Sequence, residues 1–182
     1  MNKKTEIRFH IEKFDELDST NTFARQKIIQ NPWSEFLPYN VILCRSQVKG
    51  RGTGDHTWVS LNGNIFMSVI FPLSKDCPHS QLSVAVGTGI AKSLMKICNF
   101  AVPVSIKWPN DVLMNQKKVS GVLIEIVERY VIVGIGINLV SAPKEIISST
   151  YLQKYVPNAT ADNVVELTLQ ELSSSLSFLL ER

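Results

Sequence analysis

Cysteine and histidine are scarce in this chain, three of each in 182 residues. Cys44, Cys77 and Cys98 are odd in number and widely spaced, which suits reduced cytoplasmic thiols and speaks against a disulfide framework. His10, His56 and His79 show no ligand spacing with them, so no direct protein cluster for a metal is expected. Long apolar runs are missing too. No stretch reaches the roughly 18 residues of a membrane span, and MNKKTEIRFHIEKF at the start carries charge where a signal peptide needs an apolar core. Nor is there a strong excess of one charge. Lysine and arginine total 19 against 16 acidic residues, and the basic residues are scattered, so no stripe argues for DNA. Repeats and low-complexity linkers are absent. What is left, 45% hydrophobic and 19% charged, is the composition of one globular unit with a sizeable core, expected in the cytoplasm with no membrane attachment.

Periodicity organises that unit. RFHIEKF (8–14) predicts a strand, and DSTNTFARQKIIQN (18–31) predicts a helix with capping side chains before Phe23, Ala24, Ile28 and Ile29. NVILCRSQ (40–47) and IFMSVIF (65–71) read as strands joined by a glycine-rich loop. SQLSVAVGTGIAKSLMKIC (80–98) reads as a buried helix, VSIKW (104–108) as a short strand, and VSGVLIEIVER with YVIVGIGINLV as an adjacent pair of strands. The C-terminal DNVVELTLQELSSSLSFLLER places Val165, Leu169, Leu172, Leu176 and Leu179 on one helical face. Strands outnumber helices and come in hairpins. The expected fold is mixed α/β (α+β), a largely antiparallel sheet with helices packed on one face.

The loop KGRGTGDHTW (49–58) poses the functional question. Gly50, Gly52 and Gly54 are spaced by twos and lead into a strand, whereas a dinucleotide fingerprint needs Gly-x-Gly-x-x-Gly opening a helix. A Walker loop is excluded as well, because GTGIAKS (87–93) has Ala91 before Lys92 and reads as a glycine-tolerant packing face within a helix. The loop can nonetheless approach a ligand closely. Arg51 offers a fork of donors for a phosphate or carboxylate, and Gln47 can give and take hydrogen bonds with a neutral polar group. Taken alone, the run is better read as a solvated turn with a chance arginine.

A second cluster strengthens the functional reading. KWPNDVLMNQKKVSGVLIE (107–125) sets Lys107 at a strand end, Pro109, Asn110 and Asp111 in a turn, Asn115 and Gln116 at a hairpin tip, and Lys117 and Lys118 entering a strand through Ser120 and Gly121. A plain turn and a solvated hairpin end would explain each part separately. In VGIGINLV (133–140), Gly134 and Gly136 interrupt a strong strand, which marks close approach of a ligand or another backbone, and Asn138 could ligate a phosphate-bound metal or cap the strand.

DSTN (18–21), Gln47-x-x-Gly50-Arg51-Gly52 with Trp58 beyond, KWPND (107–111), KKVSGVLIE (117–125) and GIGIN (134–138), in this order, resemble the catalytic domain of biotin protein ligases, the biotin--[acetyl-CoA-carboxylase] ligase family. The resemblance covers almost the whole chain and implies an ATP-dependent, AMP-forming ligase. Such an enzyme activates biotin as biotinyl-5'-adenylate and transfers it to a lysine of a biotin carboxyl carrier domain, of acetyl-CoA carboxylase or another biotin-dependent carboxylase. It implies that Ser19, Thr20, Asn21 and Gln47 face the ureido head and that Trp58 walls the pocket, with Gly50, Gly52, Thr53 and Gly121 around the biotin. Arg51 and Lys118 would act on the carboxylate and α-phosphate, and Asp111 on the incoming amine. Lys107, Asn110, Asp111, Asn138, Arg51 and Thr53 would serve the nucleotide, with Mg2+ arriving on ATP. No covalent nucleophile is required, so the missing Ser-His-Asp arrangement is no objection. Two alternatives stay open: a lipoate or octanoate ligase of the same fold, and a non-catalytic biotin or adenylate binder.

By the same resemblance, residues 1–182 are expected to form a single catalytic domain, with neither an N-terminal DNA-binding domain nor a small C-terminal β-barrel; a homodimer is left open. The chain departs from the family at Thr53, where many relatives carry arginine, and at Asp55, where glycine is frequent. One positive charge is missing and one negative charge is added, which weakens retention of an anionic adenylate. Adenylate dissociation is therefore expected to be faster in this chain than in its Thr53→Arg variant, and equal rates would refute the argument.

Overall fold

The computed structural model describes residues 9–30, 39–73 and 79–180. Cys77, and the expected element ends at Arg8, Asn31 and Arg182, lie outside the described residues. In chain order the elements are β1 (Phe9–Leu17), α1 (Thr20–Gln30), β2 (Tyr39–Gln47), β3 (Ile65–Pro72), α2 (His79–Ile97), β4 (Val104–Lys107), β5 (Asp111–Met114), β6 (Lys117–Val127), β7 (Tyr130–Ile137) and α3 (Ala161–Leu180). The strands form one seven-stranded sheet in the order β1-β2-β3-β7-β6-β5-β4. β1 and β2 run parallel across the α1 crossover, and every other neighbouring pair is antiparallel. The mixed, largely antiparallel α/β fold is the expected one.

Side-chain alternation sorts the residues onto two faces. On one face Met67, Val69 and Phe71 of β3 and Val131, Val133, Ile135 and Ile137 of β7 join Leu82, Val86, Ile90 and Leu94 of α2 and Leu169, Leu172 and Leu176 of α3 in the main core. On the other, Ile42, Ile70 and Ile132 pack against Ala24 and Ile28 of α1. The expectation of helices on one face thus holds for α2 and α3 and not for α1. β3 is buried on both faces for this reason, and its run IFMSVIF is apolar except at Ser68, whose hydroxyl donates to Asn21 Oδ1. α1 covers only part of its face, and the open remainder above β5, β6 and β7 is where the polar residues gather.

One strand escaped sequence reading. Pro109 and Asn110 lie in the expected turn, whereas Asp111 opens β5, whose four residues are too few to establish a period and carry a register shift between Val112 and Leu113. The tip at Asn115 and Gln116 was legible. Both residues have positive φ, 48° and 63°, as a two-residue hairpin turn requires.

GTGIAKS lies inside α2, as the failed Walker spacing implied. A Cβ at Gly89 would meet the backbone nitrogen of Leu172 at 3.2 Å, so this glycine sets how closely α2 and α3 approach. Their polar contacts, Ser93 with Thr168 at 3.1 Å and Lys96 with Glu171, fix the register of the pair. Gly89→Val is expected to force the helices apart and destabilise the fold by about 1–3 kcal/mol, read from the denaturation midpoint.

Candidate functional site

The site is built on missing side chains. Gly121 of β6 and Gly136 of β7 are paired neighbours, and the Trp58 ring lies directly on them. A Cβ at Gly136 would stand 2.5 Å from Trp58 Cε2, and one at Gly121 would stand 2.7 Å from Cζ3. Gly134, two residues back on β7, leaves room in the same way for Asn21. The strand glycines mark close approach, as their sequence context required, and what approaches is the protein's own site residues.

The glycine loop folds on itself as a small hairpin flap. Arg51 and Thr57 form an antiparallel bridge, Trp58 N donates to Gly50 O at 3.0 Å, and Gly52 N donates to His56 O at 2.8 Å. Gly54, with φ of 60°, turns the tip. At the flap's return, Asn64 Oδ1 accepts from the amides of Leu139, Val140 and Ser141 at 3.0, 3.0 and 3.3 Å, while its Nδ2 donates to Ser141 O at 2.9 Å.

At one end of the cleft stands the first turn of α1, with Ser19, Thr20 and Asn21 all buried. Gln47 Oε1 accepts from Thr20 N at 2.9 Å and from Thr20 Oγ1 at 3.3 Å, satisfying a helix-end amide that has no intrahelical partner. Its Nε2 donates to Ser60 Oγ at 3.3 Å, so Gln47, at the end of β2, fastens the helix start to the chain that follows the flap. Asn21 accepts from Ser68 Oγ at 2.6 Å and donates through Nδ2 to Leu123 O at 3.3 Å and Glu125 Oε2 at 2.9 Å.

The charged end holds two ion pairs. Arg51 donates from Nη1 to Glu125 Oε2 and from Nη2 to Glu125 Oε1, each at 3.0 Å. Lys118 Nζ lies 2.6 Å from Asp111 Oδ1 and 5.5 Å from the centre of a Trp58 ring. The lysine approaches Asp111 outside hydrogen-bonding angles, so this contact is an ion pair and Oδ1 has no hydrogen-bond partner; Asn138 Oδ1 and Trp58 Nε1 are also buried without one. Asn110 Nδ2 reaches Thr53 Oγ1 and Val122 O, each at 3.4 Å, and so links the flap to β6. Asn138 donates through Nδ2 to Thr150 O at 3.1 Å, holding the segment that follows β7.

These groups enclose a cleft of about 320 Å³, within the range of small-molecule sites. Ser19, Thr20, Asn21, Gln47, Arg51, Gly52, Thr53, Trp58, Asn110, Asp111, Lys118, Gly121 and Asn138 all line it. Gly50 does not; it is buried beneath the Trp58 carbonyl, where no side chain fits. Lys107, the register partner of Asp111, is exposed at the end of β4 and does not itself line the cleft. Sequence reading missed Glu125, although it ends the KKVSGVLIE run, because nothing local announces its partners. It also missed the wall formed by Pro143, Ile146 and Ser149. This segment has no regular period, and it is held beside Lys118 by hydrogen bonds from Lys118 N to Ser148 O and from Thr150 N to Lys118 O, both 2.8 Å.

Burial pushes the Cys44 thiol above its ordinary range, which makes it a poor nucleophile. Among the described residues no group of three or more His, Cys, Asp or Glu could hold a metal ion, and no helix is long and apolar enough to cross a membrane.

Comparison with known proteins agrees with this geometry. Over 108 residues the chain is 37% identical to the biotin--[acetyl-CoA-carboxylase] ligase of Paracoccus denitrificans, covering 56% of this chain and 45% of that protein. It is 34% identical over 154 residues to the bifunctional ligase/repressor BirA of Bacillus subtilis (strain 168), covering 78% and 44%. The chain therefore spans less than half the length of these curated relatives. Among solved structures, the biotin protein ligase from Aquifex aeolicus in complex with biotin and ATP superposes with a TM-score of 0.81 at 30% identity, covering 94% of this chain and 72% of that one. Residues 14–139, most of the chain and nearly all of the cleft, match the signature described as the biotin/lipoate A/B protein ligase family, and this chain belongs to that family.

Proposed function

We propose that this chain carries ATP-dependent biotin protein ligase activity, forming biotinyl-5'-adenylate and passing the biotinyl group to a lysine of a biotin carboxyl carrier domain. The observation that carries the reading is the pairing of two cations, Arg51 and Lys118, with a neutral polar end formed by Ser19, Thr20 and Asn21 in one cleft. That layout suits a ligand with an uncharged polar head and a carboxylate tail. Further support comes from the 30% identical Aquifex aeolicus ligase, whose structure holds biotin and ATP.

In the first half-reaction the biotin carboxylate attacks the α-phosphorus of ATP and pyrophosphate leaves. Both reactants are anions, so the chemistry needs fixed positive charge at the non-bridging oxygens. Lys118 and Arg51 supply it, with Lys118 held between Asp111 and the Trp58 ring. In the second half-reaction a lysine amine attacks the acyl carbon of the mixed anhydride, AMP departs, and the amine loses a proton. Asp111, the carboxylate that lines the cleft beside Lys118, is the acceptor there. Asn138 Oδ1, buried without a hydrogen-bond partner, is a hard donor of the kind magnesium prefers, and Mg2+ arriving on ATP would neutralise the pyrophosphate. Trp58 and the flap exclude water from the anhydride.

Transfer of labelled biotin to a carboxylase carrier domain is the direct test. The unmutated protein is expected to label the domain, and Lys118→Ala to lower the rate by about 10²–10³-fold; absence of labelling by the unmutated protein would overturn the reading. Because the head end offers hydrogen-bonding groups that an acyl chain cannot use, lipoate is expected not to compete with biotin in ATP-dependent pyrophosphate release, and equal competition would point to the lipoate class.

A further inference from the structure

We infer that Glu125 is the positioning residue that fixes the Arg51 guanidinium over the cleft. The side chain of Glu125 is 15% exposed on β6, opposite Ile132 of β7, where an unpaired carboxylate would be costly to hold. It is fully engaged. Oε1 accepts from Arg51 Nη2, and Oε2 accepts from both Arg51 Nη1 and Asn21 Nδ2.

The consequence lies in where the partners come from. Arg51 belongs to an exposed flap that contacts the sheet through few groups, whereas Glu125 sits within the longest strand. Two parallel bonds remove rotation about the guanidinium axis as well as translation, which a single bond does not. They use one edge of the fork and leave the remaining N–H donors for a second anion. Glu125 thereby holds Arg51 ready for a carboxylate or phosphate without occupying it. Its third bond ties the same carboxylate to Asn21, so the start of α1 and the base of the flap are set by one group. Glu125 itself would repel an anionic ligand, so its effect at the charged end of the cleft passes through Arg51. Glutamine at this position keeps an oxygen for Asn21 but turns an amide donor toward a guanidinium donor, and aspartate is a methylene too short to reach both partners.

The kinetic arm of the test rests on the ligase reading above; the exchange arm does not. Hydrogen exchange of the Gly52 and Trp58 amides, both bonded within the flap, is measured in the ligand-free protein. It is expected to accelerate about tenfold in Glu125→Gln, while the amides of β6 and β7 stay protected. In the kinetic arm, biotin-dependent pyrophosphate release is expected to show kcat reduced about tenfold in Glu125→Gln with KM for ATP nearly unchanged, because the cation is present but misplaced. In an Arg51→Ala background the same substitution should have no further effect on kcat. Unchanged flap exchange in Glu125→Gln, or additive losses in the double variant, would overturn the proposal. Should Glu125→Gln not fold, Arg51→Ala replaces it in the exchange arm, where acceleration of the same amides supports the anchor and unchanged exchange refutes it. No pyrophosphate release by the unmutated protein would remove the ligase reading, and the exchange result would still decide whether Glu125 anchors the flap.

Discussion

The contact between the Trp58 indole and the bare backbone of Gly121 and Gly136 is the constraint on which the site depends. An indole can rest on a sheet only where adjacent strands both lack side chains on that face. Here the two glycines are register partners, so one cross-strand pair supplies the platform. The flap lies low because Trp58 lies low, and Arg51 reaches β6 because the flap lies low. Lys118 is within reach of the ring for the same reason. A long polar loop is thereby converted into a wall with defined chemistry.

Charge is organised by the same economy of position. Each cation facing the cleft has its own carboxylate on a neighbouring strand: Glu125 for Arg51 and Asp111 for Lys118. Both cations retain substantial exposure, 43% and 32%, so they are held without being sealed from a ligand. Such pairs contribute little to stability at a partly solvated surface. Their value is orientation, since a preplaced guanidinium or ammonium need not reorganise when an anion enters.

Much of this was legible in the sequence, and the failures have physical causes. The long strands and the buried helices follow from periods of two and 3.6 sustained over many residues. β5 is too short to show a period, and its turn-forming start hid it. Gln47 lines the cleft, and its bonds to Thr20 and Ser60 add a structural task that no local pattern announces. Gly50 was placed at the cleft by its motif, whereas packing under Trp58 O accounts for it. Glu125 was invisible because its partners, Arg51 and Asn21, lie 74 and 104 residues away in sequence. Local pattern reports which residues can bond; register across a sheet decides which do.

Asn64 joins two parts that sequence order keeps apart. With one amide side chain it holds the end of the flap and, through residues 139–141, the start of the segment that walls the cleft beside Lys118. Flap and wall therefore share a single pivot. A loop transplanted from a relative at either place would carry the wrong boundary condition for the other, so these two segments have to be exchanged as a unit when specificity is redesigned on this scaffold.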